Sequence, residues 1–276
     1  MPFRSAYPAS QTTQDRWVAA HGPTEFALGP SSQIALRSRT MNLIRSATGV
    51  AVRTDSGVTL PLMPLIGIGR NYAEHAKEQG AAVPDAPMVF TKNSAAACLM
   101  DETIVIPKVC QDREQVDFEG ELAIIIGRAA RDVPKDRAFE FVLGYTCAND
   151  VSARWWQKSG SGGQFFRGKS FDTFCPLGPI VVAAKEIANP NALKIETRVN
   201  GQLKQSASTG EMIFDVATLI GDLSRGMTLL PGTVILTGTP SGVGMARTPP
   251  EWLKAGDVVE VEIEKIGTLR NSVAMG

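Results

Sequence analysis

Residues 116–127, VDFEGELAIIIG, constrain the fold more than any other stretch of the chain. Residues 122–127 form an apolar, β-branched run that reads as a buried strand. Just before it, Asp117, Glu119 and Glu121 alternate with Phe118, Gly120 and Leu122. Alternate residues of a strand share a face, so the three acids would line one side at spacings of about 6.5–7 Å. Three anions that lead into a buried strand need solvent, basic partners or a cation. Taken alone, the segment fits a solvated strand face as well as an ion-binding one.

Strand signals dominate the rest of the chain. LIGIG, PMVFTK, TIVIP, FVLGYTCAND and TVILTG are short apolar or β-branched runs, and DVVEVEIEKIG alternates Val259, Val261 and Ile263 with three glutamates. Helices are few. EMIFDVATLIGDLSRGM spaces Ile213, Val216, Ile220 and Leu223 for a helical face, with Gly226 as its stop. NYAEHAKEQG reads as a second, short helix. Asn71 is its expected cap, Glu74 completes a capping box and Gly80 ends it. No regular βαβ rhythm appears, which predicts a mainly β or α+β class rather than a doubly wound sheet. Residues 1–62 read as a small N-terminal β-unit with an irregular leader, its two short strands flanking a turn at residues 54–57. Residues 63–276 form the main domain.

Lys plus Arg and Asp plus Glu are both 28, so no net charge draws the chain to nucleic acid or anionic membrane. No apolar run has the length of a membrane span, and MPFRSAYPAS lacks the apolar core of a secretory signal. Arginines outnumber acids early in the chain, but Pro2 and Pro8 oppose an amphipathic targeting helix there. Cys98, Cys110, Cys147 and Cys175 form no CxxC pair and read as reduced thiols. A cytoplasmic protein is expected, or a mitochondrial one if the source is eukaryotic.

Chemistry-bearing residues cluster in four places. His75 is one of two histidines, the other being His21, and Glu78 follows it by three residues on the predicted helix. That spacing shares a face, so Glu78 could orient His75 as a general base; a solvated surface pair is the plain alternative. Asp150 ends the strand after the acidic segment, within reach of Glu119 and Glu121 if the two strands are neighbours. Oxygen-only ligation favours Mg²⁺ or Mn²⁺, with Ca²⁺ a further candidate, over zinc. GQFFRGKS, residues 163–170, matches a P-loop by letter, but no strand precedes it and Pro176 and Pro179 oppose a long helix after it. A P-loop nucleotide-binding protein is therefore a remote reading, and Lys169 reads instead as a placed cation. TGTPSGVG, residues 237–244, could offer backbone N–H groups to an anion or be an ordinary turn.

Together, GRNYAEHAKE, VDFEGELA, YTCANDVSARWWQ, RGKSFDTFCPLGP and LTGTPSGVG resemble the fumarylacetoacetate hydrolase family in order and approximate spacing, from about Leu65 to Ser272. The nearest branch is that of the fumarylacetoacetate hydrolase domain-containing proteins. The resemblance implies a mixed β-roll that dimerises, and a divalent ion on Glu119, Glu121 and Asp150 with Asp117 outside its ligands. It implies catalytic roles for His75, Glu78 and Lys169, and substrate contacts at Arg70, Tyr72, Arg154, Gln157 and Thr239. Its expected activity is metal-dependent cleavage of a C–C bond in 2,4-dioxo acids of the acylpyruvate type. Oxaloacetate decarboxylation, keto–enol tautomerisation, and isomerisation or hydration of 2-oxo-diene-dioates are the alternatives on the same site. Two departures bear on the pocket: Lys92-Asn93-Ser94-Ala95 stands where relatives often have K-P-S-S, and Trp155 follows Arg154 where many have an acid.

Overall fold

The computed structural model describes residues 39–54 and 56–276. The expected leader lies outside the described residues. In chain order the strands are β1 (Thr40–Ser46), β2 (Gly49–Arg53), β3 (Thr59–Pro61), β4 (Leu65–Gly69), β5 (Met88–Lys92), β6 (Ala97–Leu99), β7 (Ile104–Ile106), β8 (Val116–Asp117) and β9 (Gly120–Ile126). They continue as β10 (Val142–Asn149), β11 (Ser152–Ala153), β12 (Cys175–Ala183), β13 (Lys194–Val199), β14 (Gln202–Ser208), β15 (Val234–Leu236), β16 (Val258–Ile263) and β17 (Gly267–Met275). Short α-helices are α1 (Ala73–Glu78), α2 (Arg154–Gln157), α3 (Phe165–Lys169) and α4 (Val216–Leu223). This is the expected β-rich roll with few helices.

A ten-stranded sheet runs β3-β2-β1-β12-β10-β9-β15-β4-β5, with β6 added on β12, and a five-stranded sheet runs β14-β13-β16-β17-β7. β9 sits inside the larger sheet between β10 and β15, and every one of its residues is buried. That placement explains the apolar run at residues 122–126: a strand flanked on both edges and covered on both faces has no position there for a solvated side chain. The core joins Leu122, Ile124 and Ile126 of β9 to Ile195, Val261 and Ile263 of the smaller sheet and to Val216, Leu219, Ile220 and Leu223 of α4. The Asp215 side chain caps α4 by accepting from the Thr218 N–H at 2.7 Å, so the helix starts after Ile213 rather than at it.

Residues 40–61 carry three strands, not the expected two. β1 pairs with β12 through Thr40↔Val182 and Met41↔Val181. The described part of the N-terminal β-unit is thus hydrogen-bonded into the larger sheet.

Two further local readings are corrected. The acidic segment is not one strand. β8 pairs with β11 and β9 with β10, and Phe118 and Glu119 carry the chain from one ladder to the other. Asp117 consequently leaves the face that Glu119 and Glu121 share. Asn71 does not cap α1, whose N-cap is Tyr72 with no side-chain hydrogen bond. The Asn71 amide instead donates to the carbonyls of Phe214 at 2.9 Å and Thr237 at 2.7 Å, and accepts from the Phe214 N–H at 2.8 Å. It ties the start of α1 to two distant segments, a use that a local capping pattern cannot reveal. Gly80 does end the helix, in the left-handed region at φ 65°. No helix among the described residues is long and apolar enough to cross a membrane.

Candidate active site

Three carboxylates meet where β9 begins and β10 ends. The register Ala148↔Glu121 and Asn149↔Gly120 brings Asp150 alongside Glu119. Two bonds lock this corner: the Glu119 N–H donates to Asn149 Oδ1 at 3.0 Å, and the Asp150 N–H donates to the Glu119 carbonyl at 2.8 Å. Oxygens of Glu119, Glu121 and Asp150 all lie within 4.8 Å of one another, and all three residues are buried.

Buried cations surround the cluster. Lys169 Nζ donates to Glu119 Oε2 at 2.6 Å and also to Asp150 Oδ2. Lys92 Nζ donates to Asp150 Oδ1 and to the Phe174 carbonyl at 2.7 Å. Arg154 bridges Glu119 Oε1 at 2.7 Å and Asp117 Oδ2 at 2.7 Å. Burial works against the Glu119 carboxylate, but Lys169 and Arg154 outweigh it and hold Glu119 well below the usual carboxylate range. Glu121 differs. Among the described residues it has no ion pair, and it accepts one bond, from the Gly238 N–H at 2.7 Å. Burial, then Asp150 and Glu119 beside it, push Glu121 well above the usual carboxylate range.

These charges are the test of whether a metal ion fits. Asp117, Glu119, Glu121 and Asp150 face Lys92, Arg154 and Lys169, so four buried acids meet three cations, and Glu121 is the acid that ionises only if a further cation joins it. An uncompensated buried carboxylate is costly unless a cation joins it. The donors are all oxygen, the set that a hard divalent cation takes. The residues therefore fit such an ion, and the net charge leaves room for an anionic ligand beside it.

His75 faces the same space. On α1, the His75 Nδ1 lies 2.7 Å from Glu78 Oε1, and Gln79 Nε2 lies 2.9 Å from His75 Nε2. A carboxylate accepts and an amide NH2 donates, so these contacts fit a proton on Nδ1 and a lone pair on Nε2 that takes the Gln79 amide until a substrate replaces it. Glu78 Oε2 is held in turn by the Gly242 N–H at 2.8 Å. The segment at residues 237–245 does present its backbone N–H groups to anions, and the anions are the protein's own acids. Gly238 serves Glu121, Gly242 serves Glu78, and Gly244 and Met245 serve Asp117 at 2.7 and 3.1 Å.

A cavity of about 230 Å³ collects His75, Glu119, Glu121 and Lys169, with Arg70, Gln157 and Thr239 among its walls. Two expected substrate contacts do not line it. Tyr72 is packed in the core, with its hydroxyl buried and without a hydrogen-bond partner among the described residues. Arg154 stands behind Glu119, engaged with two carboxylates and with Gln157 Oε1 at 3.1 Å. Arg70 enters the cavity wall with a buried Nε that has no partner among the described residues. Residues that sequence reasoning did not place in the site are Gln79, Phe90, Lys158 and Phe165 in the wall, and Lys92 beneath Asp150. A lone lysine at the end of the strand run PMVFT was the available sign for Lys92. Trp155 lies beneath Arg113, whose guanidinium carbon is 4.4 Å from the ring centroid. Lys169 is the last residue of the short helix α3, not the first of a helix after a strand, so the structural context of a P-loop is absent here.

Comparison with known proteins agrees with this construction. The family model described as fumarylacetoacetate (FAA) hydrolase C-terminal matches residues 64–274. Oxaloacetate tautomerase YisK of Bacillus subtilis (strain 168) is 45% identical over 224 residues, which cover 80% of this chain and 73% of that protein. Mitochondrial oxaloacetate tautomerase FAHD2B of Bos taurus is 43% identical over 242 residues, covering 82% and 76%. Among solved structures, the fumarylacetoacetate hydrolase EaFAH of psychrophilic Exiguobacterium antarcticum superposes with a TM-score of 0.74 at 37% identity, covering 87% of this chain and 100% of that one. On the matched family model, the shared fold and these identities, the chain belongs to the fumarylacetoacetate hydrolase family.

Proposed function

We propose that this chain is a divalent-cation-dependent keto–enol tautomerase of oxaloacetate. The observation that carries the proposal is a single small cavity. It sets His75, oriented by Glu78, opposite Glu119 and Glu121 of a buried three-carboxylate cluster in which Glu121 has no cation partner among the described residues. Its volume of about 230 Å³ is below the roughly 300–1,000 Å³ of drug-sized pockets, which suits a small acid. The two tautomerases named above are more similar in sequence than the hydrolase structure, and this ranks tautomerisation before the C–C hydrolysis implied by motif resemblance.

Glu119, Glu121 and Asp150 would hold the ion, and a bound divalent cation would supply Lewis-acid polarisation of the 2-oxo group. The chain's own groups do the rest. His75 Nε2 takes a proton from C3 of the keto form, while Glu78 fixes the ring and stabilises its imidazolium. The electron pair of the broken C–H bond forms the C2–C3 double bond, and the charge moves to the 2-oxygen. Lys169, whose ammonium lines the cavity, stabilises that charge by a hydrogen bond and by its field. The His75 imidazolium gives its proton to the same oxygen, which completes the enol and returns the neutral base, and the reverse sequence restores the ketone. No water is consumed. Arg70 and Gln157 in the wall give the substrate carboxylates donors.

Hydrolysis of an acylpyruvate is the second reading, supported by the hydrolase among the structural relatives. A turnover panel separates the two. Enol oxaloacetate and a series of acylpyruvates are followed by ultraviolet absorbance with Mg²⁺, Mn²⁺ or Ca²⁺, and with chelator. Tautomerisation predicts chelator-sensitive loss of the enol with no cleavage product. Release of pyruvate from an acylpyruvate at a comparable rate would overturn that ranking. The homodimer implied by the family belongs to the same proposal, and light scattering on the purified protein tests it.

A further inference from the structure

Gln205 lies on β14, in the smaller sheet, and is 1% exposed. It lines no part of the cavity, yet its amide reaches both halves of the site. Its Oε1 accepts the N–H of Gly120, the residue between Glu119 and Glu121, at 3.0 Å. Its Nε2 donates to Thr239 Oγ1 at 2.7 Å and to the Pro240 carbonyl at 2.8 Å. Thr239 Oγ1 closes the ring by donating to the Gly120 carbonyl at 2.9 Å.

Thr239 and Pro240 belong to the segment whose N–H groups hold Glu121 and Glu78. The same segment lies against the Gln205 strand: a Cβ on Gly242 would come 2.2 Å from the Lys204 carbonyl oxygen. Arg247 also donates to that carbonyl, at 2.7 Å. One buried amide therefore sets the distance between the Glu119–Gly120–Glu121 backbone and the segment that aims Glu78 at His75. A glutamine is suited to this because it offers an acceptor to one side and two donors to the other.

We propose that Gln205 is a positioning residue that couples the His75–Glu78 base to the carboxylate cluster through residues 237–245. The proposal rests on the functional reading above for its kinetic arm and is independent of it for its binding arm. Outer groups that orient ligands and bases typically change metal affinity or activity by about 10–100-fold when lost. Groups that act through one another give non-additive double mutants, whereas independent ones multiply.

The test uses the full chain with Gln205→Leu, which removes all three bonds at similar size, and Gln205→Glu, which keeps the acceptor for Gly120 but turns an acceptor on the Pro240 carbonyl. Mn²⁺ affinity is measured by calorimetry, enol turnover is measured at saturating Mn²⁺, and circular dichroism reports folding. Both variants are expected to lose about 10–100-fold in Mn²⁺ affinity and in kcat. Gln205→Leu with Glu78→Gln is expected to lose little more kcat than the worse single variant. If Gln205→Leu does not fold, Gln205→Glu carries the same expectation in both measurements. Wild-type Mn²⁺ affinity in a folded Gln205 variant, or losses that multiply in the double variant, would overturn the proposal. A wild-type protein inactive on oxaloacetate would refute the functional reading, and the Mn²⁺ arm would still decide the role of Gln205.

Discussion

Gly120 should be intolerant of a single added methyl group, for a reason that the contacts around it define. It has no positive φ to protect, so its constraint is space. A Cβ there would stand 2.0 Å from Thr197 Oγ1, 3.2 Å from Val261 Cγ1 and 3.4 Å from Gln205 Oε1. Thr197 is fully buried on β13, and its β-branched side chain has little freedom to turn away. The two sheets would have to part where Glu119 and Glu121 enter the site. Overpacking of this kind costs about 1–3 kcal/mol. For a unit of this size each kcal/mol lowers Tm by about 2–4 °C, so Gly120→Ala should melt about 2–12 °C below wild type. Mn²⁺ affinity should fall with it, because the displaced residue separates two of the ion-binding carboxylates. Thr197 Oγ1 has no hydrogen-bond partner among the described residues, so Thr197→Ala removes the clashing atom without stranding a donor or acceptor there. Thr197→Ala alone should stay within about 1 kcal/mol of wild type, and Gly120→Ala with Thr197→Ala should regain most of the lost Tm. Calorimetric melting of the four proteins, with Mn²⁺ titrations, is the assay. A Gly120→Ala protein that melts with wild type, or a double variant as unstable as Gly120→Ala, would refute the reasoning.

Other consequences follow from the buried charges and thiols. Asp117→Ala removes one of the two buried carboxylates that Arg154 pairs with and strands three backbone N–H groups, so urea unfolding should show a loss of about 3–5 kcal/mol. Lys169→Met strips Glu119 and Asp150 of a shared cation. It should lower Tm most in chelator, recover part of it with Mg²⁺, and lose at least about 100-fold in kcat. Burial pushes the Cys110, Cys147 and Cys175 thiols up to about 12. An unfolded thiol ionises near 8.5, so the stability these groups contribute is whole below about pH 8.5 and is lost as pH rises toward 12, by up to about 1.4 kcal/mol per pH unit for each. Tm should therefore fall steeply above about pH 9, and Cys147→Ala should flatten that slope; an unchanged slope would argue against a buried, protonated thiol.

What could be read from the sequence followed the range of each signal. β9 and α4 were legible because their apolar spacing is local and their surroundings are uniform. The His75–Glu78 pair and the Glu119, Glu121 and Asp150 cluster were legible because short helical and strand geometry, with one neighbouring strand, assembles them. The break between β8 and β9 was not, because the turn of the backbone at Phe118 and Glu119 is imposed by two different partner strands. Asn71 matched a local capping pattern but is used by Phe214 and Thr237, more than 140 residues away. Lys92, Arg154 and Tyr72 were misplaced or missed for a related reason: whether a polar side chain faces the cavity, a carboxylate behind it or the core depends on packing that no spacing records.

His75 as base and Glu121 as ion ligand are separated most directly by measuring enol turnover and Mn²⁺ affinity side by side in His75→Ala and Glu121→Gln. With His75 as the general base, His75→Ala should bind Mn²⁺ as wild type does and lose about 10²–10⁴-fold in kcat. Glu121→Gln should lose Mn²⁺ affinity first and recover turnover only as Mn²⁺ is raised. A His75→Ala protein that turns over oxaloacetate normally, or one that no longer binds Mn²⁺, would contradict the division of labour between the histidine and the carboxylates.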